Sequence, residues 1–136
     1  MTGRILIDLF MTLDGVAQGP GGTDEDPSGG FEFSGWQAGY PSSGMGETVS
    51  QGMQRLDALL LGRRTYDIFA SYWPHHTEGP SGEIGRLFDR VPKYVASRNP
   101  DIALAWQNSH RVGDDLAAEI AELRAQHDEV HVIGSI

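Results

Sequence analysis

The stretch Leu60-Leu61-Gly62-Arg63-Arg64-Thr65-Tyr66 joins the end of an apolar run to the start of a helical pattern. The run over residues 57–61 is typical of a buried strand that stops at Gly62. Thr65 is expected to open a helix that turns Ile68, Phe69 and Tyr72 inward, and Pro74 ends it. A strand followed directly by a helix is the repeating unit of a parallel α/β sheet. This stretch therefore predicts an α/β fold.

The same alternation continues on both sides of it. Strands are predicted at residues 5–10, 57–61, 93–97 and 130–133, with a further possible strand at Trp106. Helices are predicted from Glu47, from Thr65, around residues 84–88, and after Asp114 or Asp115 as the cap. Such alternation needs crossover connections, which give a central, mostly parallel or mixed sheet flanked by helices. We expect residues 1–136 to form one such domain.

Composition excludes several classes of protein. The 136 residues carry ten Lys plus Arg against nineteen Asp plus Glu, a net charge of -9, which argues against a nucleic-acid partner. The absence of cysteine removes disulfides and thiolate chemistry. No apolar run is long enough to span a bilayer, and no cleavage site follows the first one. We expect a cytoplasmic protein with a small-molecule substrate and no membrane partner.

A long glycine-rich segment covers residues 15–40. It holds eight glycines, two prolines and an acidic cluster at residues 24–26, without a periodic apolar pattern. Loops of this length in compact domains are uncommon and are usually functional or disordered. Four aromatic residues give the segment something to bury: Phe31, Phe33, Trp36 and Tyr40. We predict that it acts as a lid.

Three strand ends carry residues suited to phosphate. Gly62-Arg63-Arg64-Thr65 places two arginines and a hydroxyl where a helix begins, and helix N-termini favour anions. Ser97-Arg98 follows the next strand, and an arginine there can select the 2′-phosphate of a dinucleotide. Gly134-Ser135 follows the last strand. Each turn also has a plainer interpretation, as a solvated strand-to-helix connection or as a polar turn before Pro100.

Taken in order, five segments resemble the dihydrofolate reductase-like superfamily. They are Leu13-Asp14-Gly15, Leu60 to Tyr66, Val95-Ala96-Ser97-Arg98, Trp106-Gln107-Asn108-Ser109 and Val132-Ile133-Gly134-Ser135. More narrowly, the chain is similar to stand-alone members of the group named after the C-terminal reductase domain of the bifunctional riboflavin-biosynthesis deaminase-reductase. The similarity covers essentially the whole chain.

The resemblance implies NADPH as hydride donor and often a homodimer. Gly62, Arg63, Arg64 and Thr65 would contact the cofactor phosphates, and Ser97 and Arg98 the 2′-phosphate region. The final turn, formed by Gly134, Ser135 and Ile136, would cradle the pyrophosphate. The loop after the first strand, with Val16, Ala17 and Gly19, would border the nicotinamide.

Hydride transfer leaves a basic atom on the substrate that must collect a proton. Asp14 and Glu47 are the candidate donors. Asp14 is equally suited to a turn before glycine, and Glu47 to stabilising a helix N-terminus. Trp36 and Tyr66 are candidate walls of a substrate pocket. His75-His76 with Glu78 does not match known metal-ligand spacings, so no metal site is predicted.

Together with the resemblance, these residues indicate an NADPH-dependent reductase of a small heterocyclic or carbonyl substrate. Two activities would fit: reduction of 5-amino-6-(5-phosphoribosylamino)uracil, or a reaction like that of dihydrofolate reductase. The alternative is a non-catalytic nucleotide-binding or dimerising protein on the same scaffold. The group's members continue past the glycine turn through a helix and further strands. We therefore expect the strand at 130–133 to be uncovered, leaving residues 130–136 for further chain or a second copy.

Overall fold

The protein is described from a computed structural model that covers residues 2–40 and 42–135. Its α-helices are α1 (Ser43–Gly52), α2 (Arg63–Tyr72), α3 (Gly82–Arg90) and α4 (Leu116–Gln126). Its strands are β1 (Arg4–Asp8), β2 (Ala58–Gly62), β3 (Lys93–Ala96), β4 (Ser109–Val112) and β5 (Glu129–Ile133). The described residues fall into a sheet unit, residues 2–8 and 54–135, and a loop unit, residues 9–40 and 42–53.

The sheet unit is an α/β structure, as the sequence predicts. Its five strands run in the order β1-β5-β2-β3-β4, and every pairing among the described residues is parallel. The expectation that β5 is uncovered is wrong. Val130 pairs with Ile5 on one side and with Ala58 on the other, because β5 lies inside the sheet. The edge strands of this sheet are β1 and β4, and Ile7 of β1 is 75% exposed.

Alternation along the central strands builds a core on each face of the sheet. On one face, Leu123 of α4 packs with Ala58, Leu60, Val112 and Val130. Leu59 and Leu61 point the other way and are fully buried. Tyr66 of α2 and Phe88 of α3 are also buried, at 1% exposure each.

Two details of the sheet unit differ from the prediction. Tyr72 does not face inward but is 44% exposed, with its ring stacked on that of His76 at 3.7 Å between centroids. Trp106 lies before β4 rather than in it. Its backbone N–H donates to the Tyr66 hydroxyl at 3.0 Å, so it is not part of the strand ladder. Its indole N–H donates to Asp89 at 2.9 Å.

The loop unit has its own internal order. In residues 15–40 the regular structure is a single 3-10 turn, Ser28–Gly30. The Gln18 amide donates to the carbonyls of Asp26 and Ser28 at 3.0 and 2.9 Å, and the Gln18 carbonyl accepts from the Trp36 indole at 3.0 Å. Gln18 therefore links separate parts of the segment. Its role as a lid stays a prediction.

Helix α1 begins earlier than the sequence suggests. Ser42 accepts a hydrogen bond from the Met45 backbone N–H at 3.1 Å and caps the helix. Glu47 consequently lies in the second turn and does not open the helix. Across the part of the chain that the structure describes, no helix has the length and apolarity needed to cross a membrane.

The single lysine of the chain is buried and provides a pH test of the fold. Lys93 donates to the carbonyls of Phe88 and Asp89 at 2.9 Å each, at the end of α3. Its ammonium also lies 4.4 Å from the centroid of the Trp106 ring. Burial lowers the pKa of Lys93 from 10.5 to about 8, against the opposing charge of Asp89.

Between about pH 8 and 10 the unfolded chain should therefore hold a proton that the folded chain lacks. The free energy of unfolding of the wild type, relative to Lys93→Met, should rise with pH across that window. The slope should be at most about 1.4 kcal/mol per pH unit. Denaturant titrations of both proteins at several pH values measure it, and a difference that is flat or falls with pH contradicts the assignment.

Candidate functional site

The three predicted phosphate turns lie along one side of the sheet unit. Because β5, β2 and β3 are neighbours and parallel, their carboxyl ends meet at the same edge. These ends carry Gly134-Ser135, Gly62 and Ser97-Arg98, in that order. In open parallel sheets, ligands bind beyond the carboxyl ends of the strands. The fold thus brings together the turns that the sequence singles out.

Two of these turns are hydrogen-bonded to each other. The Ser135 backbone N–H donates to the Thr65 hydroxyl at 3.1 Å, and the Gly62 N–H donates to the Ser135 hydroxyl at 2.9 Å. Gly134 has a φ of 62°, which glycine adopts without strain. The start of α2 and the end of β5 therefore form one rigid corner. Ile136 lies outside the described residues.

Helix α2 begins at Arg63, two residues before the predicted start at Thr65. Both arginines consequently belong to its first turn, and no side chain of the described residues caps its N-terminus at Gly62. An uncapped helix start leaves backbone N–H groups for an anion. The Arg63 guanidinium is paired with Asp67, at 2.8 and 2.9 Å to the two carboxylate oxygens. Because this pair is exposed, a phosphate can compete for Arg63 at modest cost.

The end of β3 is held by an arginine that the sequence analysis does not identify. Arg111 donates to the Ser97 carbonyl at 2.8 Å and pairs with Asp114. Gly113 lies against the same carbonyl, since a Cβ on it would be 2.6 Å from the Ser97 oxygen. Arg98 is exposed, and no hydrogen bond or ion pair engages its side chain within residues 2–40 and 42–135.

An open cavity of about 370 Å³ lies beside Arg98. It is lined by Ala96, Ser97, Arg98, Gly113 and Leu116, and most of this lining is apolar. A planar apolar ring with an anion at its rim would match this combination of surfaces. The cavity therefore leaves room for a ligand beside the predicted 2′-phosphate contact.

Tyr66 has a structural role in this arrangement. Its ring is 1% exposed. Its hydroxyl donates to Ser109 at 3.1 Å and accepts from the Trp106 backbone N–H at 3.0 Å. These bonds tie α2 to the chain around β4, so the side chain is committed to the core. A substrate contact by Tyr66 stays a prediction, as the other residue roles do.

The remaining candidates belong to the loop unit: Asp14, Val16, Ala17, Gly19, Trp36 and Glu47. Asp14 is exposed and accepts from the Thr12 hydroxyl at 2.6 Å. That bond lowers the pKa of Asp14, with its own backbone N–H as the second cause. A carboxyl held in its ionised form is a poor proton donor at neutral pH. Glu47 is exposed on α1.

Gly19 is fixed by its surroundings in the loop unit. Its φ is +53°, and a Cβ there would lie 2.5 Å from the Ser34 hydroxyl. Its carbonyl accepts from the Gly35 N–H at 2.7 Å. The Thr12 N–H donates to the Val16 carbonyl, and the Val16 N–H donates to the Thr12 hydroxyl, at 2.9 Å each. The predicted nicotinamide loop is therefore a set of tight turns.

A buried polar cluster in the sheet unit escapes the sequence analysis. His131 is 0% exposed and lies between Asp8 of β1 and Glu129 of β5. The available signal is the alternation in Glu129-Val130-His131-Val132, which places two ionisable groups on one face of a buried strand. The partner on that face comes from β1, which is 123 residues away from His131.

Comparison with known proteins places the chain in a family. The family model described as the RibD C-terminal domain matches residues 4–132. The chain therefore belongs to the RibD C-terminal domain family, a family of reductase domains of the dihydrofolate reductase-like fold. It is also 29% identical over 96 residues to the uncharacterized protein YyaP of Bacillus subtilis (strain 168). That alignment covers 70% of this chain and 44% of YyaP, so the chain spans less than half the length of this relative.

Proposed function

We propose that the chain is an NADPH-dependent reductase that transfers a hydride to a small heterocyclic or carbonyl substrate. The observation that carries the proposal is Arg98 beside the cavity at the end of β3, where no carboxylate of the described residues pairs with its side chain. In a chain of net charge -9, such an arginine is available for an anionic ligand. The family adds reductase chemistry to that geometry.

Each turn has a role in this proposal. The uncapped start of α2 and the corner formed by Thr65 and Ser135 suit the pyrophosphate. Ser97 and Arg98 suit the 2′-phosphate, since a guanidinium can form a bidentate pair of hydrogen bonds with phosphate oxygens. NADPH supplies the hydride when it is bound. The protein's own task is then to hold both ligands, exclude water and deliver a proton.

The corner at Thr65 should affect both dinucleotides alike. Thr65→Val removes the acceptor of the Ser135 N–H at a point where NADPH and NADH have the same pyrophosphate. We expect both cofactors to bind about tenfold more weakly, which corresponds to the loss of about one hydrogen bond. Fluorescence titration measures both affinities.

The matched control for this variant is Thr48→Val, on the exposed surface of α1, which should bind both cofactors as the wild type does. If Thr65→Val weakens only NADPH, Thr65 acts on the 2′-phosphate instead. If it weakens neither cofactor, the corner is structural.

The reaction itself is tested by NADPH oxidation. Dihydrofolate and 5-amino-6-(5-phosphoribosylamino)uracil represent the two candidate activities, and single-turnover mixing with each shows whether hydride leaves the cofactor. Oxidation with either probe supports the reductase. Tight NADPH binding without oxidation of any carbonyl or heterocyclic probe would favour the non-catalytic nucleotide-binding alternative.

A homodimer belongs to the same proposal. In its support, β1 forms an open edge of the sheet with Ile7 exposed, and open edges invite pairing with another chain. Sedimentation equilibrium of the purified protein tests this assembly, and Ile7→Lys should shift a dimer toward monomer.

A further inference from the structure

His131 is held between two carboxylates inside the sheet unit. Its Nδ1 lies 2.5 Å from Asp8 Oδ2, and its Nε2 lies 3.3 Å from Glu129 Oε1. A carboxylate only accepts hydrogen bonds, so both contacts are satisfied when each ring nitrogen carries a hydrogen. Both contacts are also satisfied when one of these two hydrogens lies on a carboxyl oxygen instead of on the ring. In either case Asp8 and His131 share one proton along a short contact.

On the adjacent strands, the neighbours of His131 offer no group that accepts a proton. The residues opposite it in register are Leu6 on β1 and Leu59 on β2, which are both apolar. Glu129 is 3% exposed and pairs with Arg4 at 2.7 Å, and Arg55 lies 3.8 Å from the same oxygen. Burial raises the pKa of Glu129, but its bonds to Arg4 and His131 outweigh this and lower it. Glu129 therefore stays ionised and keeps the hydrogen on His131 Nε2.

Among Asp8, His131 and Glu129, Asp8 is the residue whose side chain is exposed to solvent. Its side chain is 37% exposed, whereas that of His131 is fully buried. The Asp8 carbonyl accepts from the Gly134 N–H at 3.1 Å, which puts Asp8 beside the glycine turn at the carboxyl end of β5. A proton held inside the sheet can thus reach the edge where the candidate cofactor turns lie, through Asp8.

We propose that Asp8 protonates the reduced substrate and that His131 is the positioning residue that supplies its proton; this role rests on the proposed reductase function. Hydride adds to one atom of the substrate's double bond, and the π electron pair moves to the other atom. That atom takes a proton from the Asp8 carboxyl, which has received the Nδ1 proton of His131. The ring is left neutral, with its Nε2–H on Glu129. A solvent proton then returns through Asp8 and restores the pair.

Proton exchange tests the shared proton without any substrate. In the ¹⁵N-labelled protein, the hydrogen on His131 Nδ1 should exchange with water through Asp8. Asp8→Asn should slow that exchange by more than tenfold, because an amide cannot relay a proton. Asp128→Asn, an exposed carboxylate just before β5, is the matched control and should leave it unchanged. Unchanged or faster exchange in an Asp8→Asn protein that melts like the wild type overturns the relay.

Turnover tests the catalytic role. With whichever of dihydrofolate or 5-amino-6-(5-phosphoribosylamino)uracil the wild type reduces, Asp8→Asn should lower the single-turnover rate at least 100-fold. NADPH affinity should stay within threefold of the wild type. His131→Gln should lower the rate as well, with NADPH affinity again close to that of the wild type.

The two proposals fail in different ways. A wild type that oxidises NADPH, with Asp8→Asn equally fast, overturns the relay and leaves the reductase standing. A wild type that does not bind NADPH overturns the reductase, and with it the catalytic role of Asp8. In that event the exchange experiment still decides whether Asp8 and His131 share a proton.

Discussion

Arg98→Ala should weaken NADPH binding by about 5- to 150-fold and NADH binding by less than threefold. The range corresponds to about 1–3 kcal/mol for one charge-assisted bond to phosphate. The effect is confined to NADPH because NADH has no 2′-phosphate. It should approach the upper limit because no carboxylate among the described residues neutralises Arg98. Parallel fluorescence titrations of wild type and variant with both cofactors measure it.

The matched control is Arg90→Ala. Arg90 is exposed at the end of α3, before β3 begins, and so lies away from the carboxyl ends of the strands. Its loss changes the net charge by the same amount and should leave both affinities within twofold. Equal weakening of NADPH and NADH by Arg98→Ala would remove Arg98 from the 2′-phosphate. If Arg90→Ala weakens NADPH binding as much as Arg98→Ala does, Arg98 acts only through the net charge of the protein.

Gly113→Ala should destabilise the fold and abolish cofactor selectivity together. Gly113 has a φ of +139°, which side-chain-bearing residues rarely adopt, and the added Cβ would lie 2.6 Å from the Ser97 carbonyl oxygen. Strain and overpacking of this kind cost about 3 kcal/mol in total. The carbonyl that would move also accepts from Arg111, so the end of β3 and Arg98 should shift with it. Denaturant unfolding and the two cofactor titrations measure both effects.

Gly46→Ala is the control for the added methyl group. Gly46 lies inside α1, and a Cβ there would meet nothing within 4 Å. It should leave cofactor binding unchanged and stabilise the protein by about 0.5–1 kcal/mol, since alanine is the better helix former. A Gly113→Ala protein as stable as the wild type would show that the end of β3 is looser than the contact with Ser97 indicates.

The strand-to-helix turns could be predicted because each is marked by neighbouring residues. Gly62 after the leucine run and Gly134 after β5 both sit at strand ends that meet at one edge of the sheet. The sequence pattern predicts element boundaries less well where side chains form hydrogen bonds with the backbone. Trp106 has a strand-like composition around it, but its N–H is taken by Tyr66 and β4 starts three residues later, at Ser109. Ser42 rather than Glu47 starts α1, because a serine cap outweighs the apolar spacing further on.

The relay residues could not be predicted from local pattern at all. His131 and Glu129 stand two apart in a strand, which only says that they share a face. Asp8 joins these two residues only because β1 pairs with β5, and these two strands lie near opposite ends of the sequence. Likewise, the clamp of Arg111 on Ser97 depends on the pairing of β3 with β4. Sequence spacing indicates the turns of such a site, whereas the topology brings its polar partners together.

The most direct test of the proposed cofactor site is titration of the wild-type protein with NADPH and with NADH under identical conditions. We expect NADPH to bind at least tenfold more tightly, because Arg98 would bind the 2′-phosphate that NADH lacks. Failure to bind either dinucleotide, or equal binding of the two, would contradict the account.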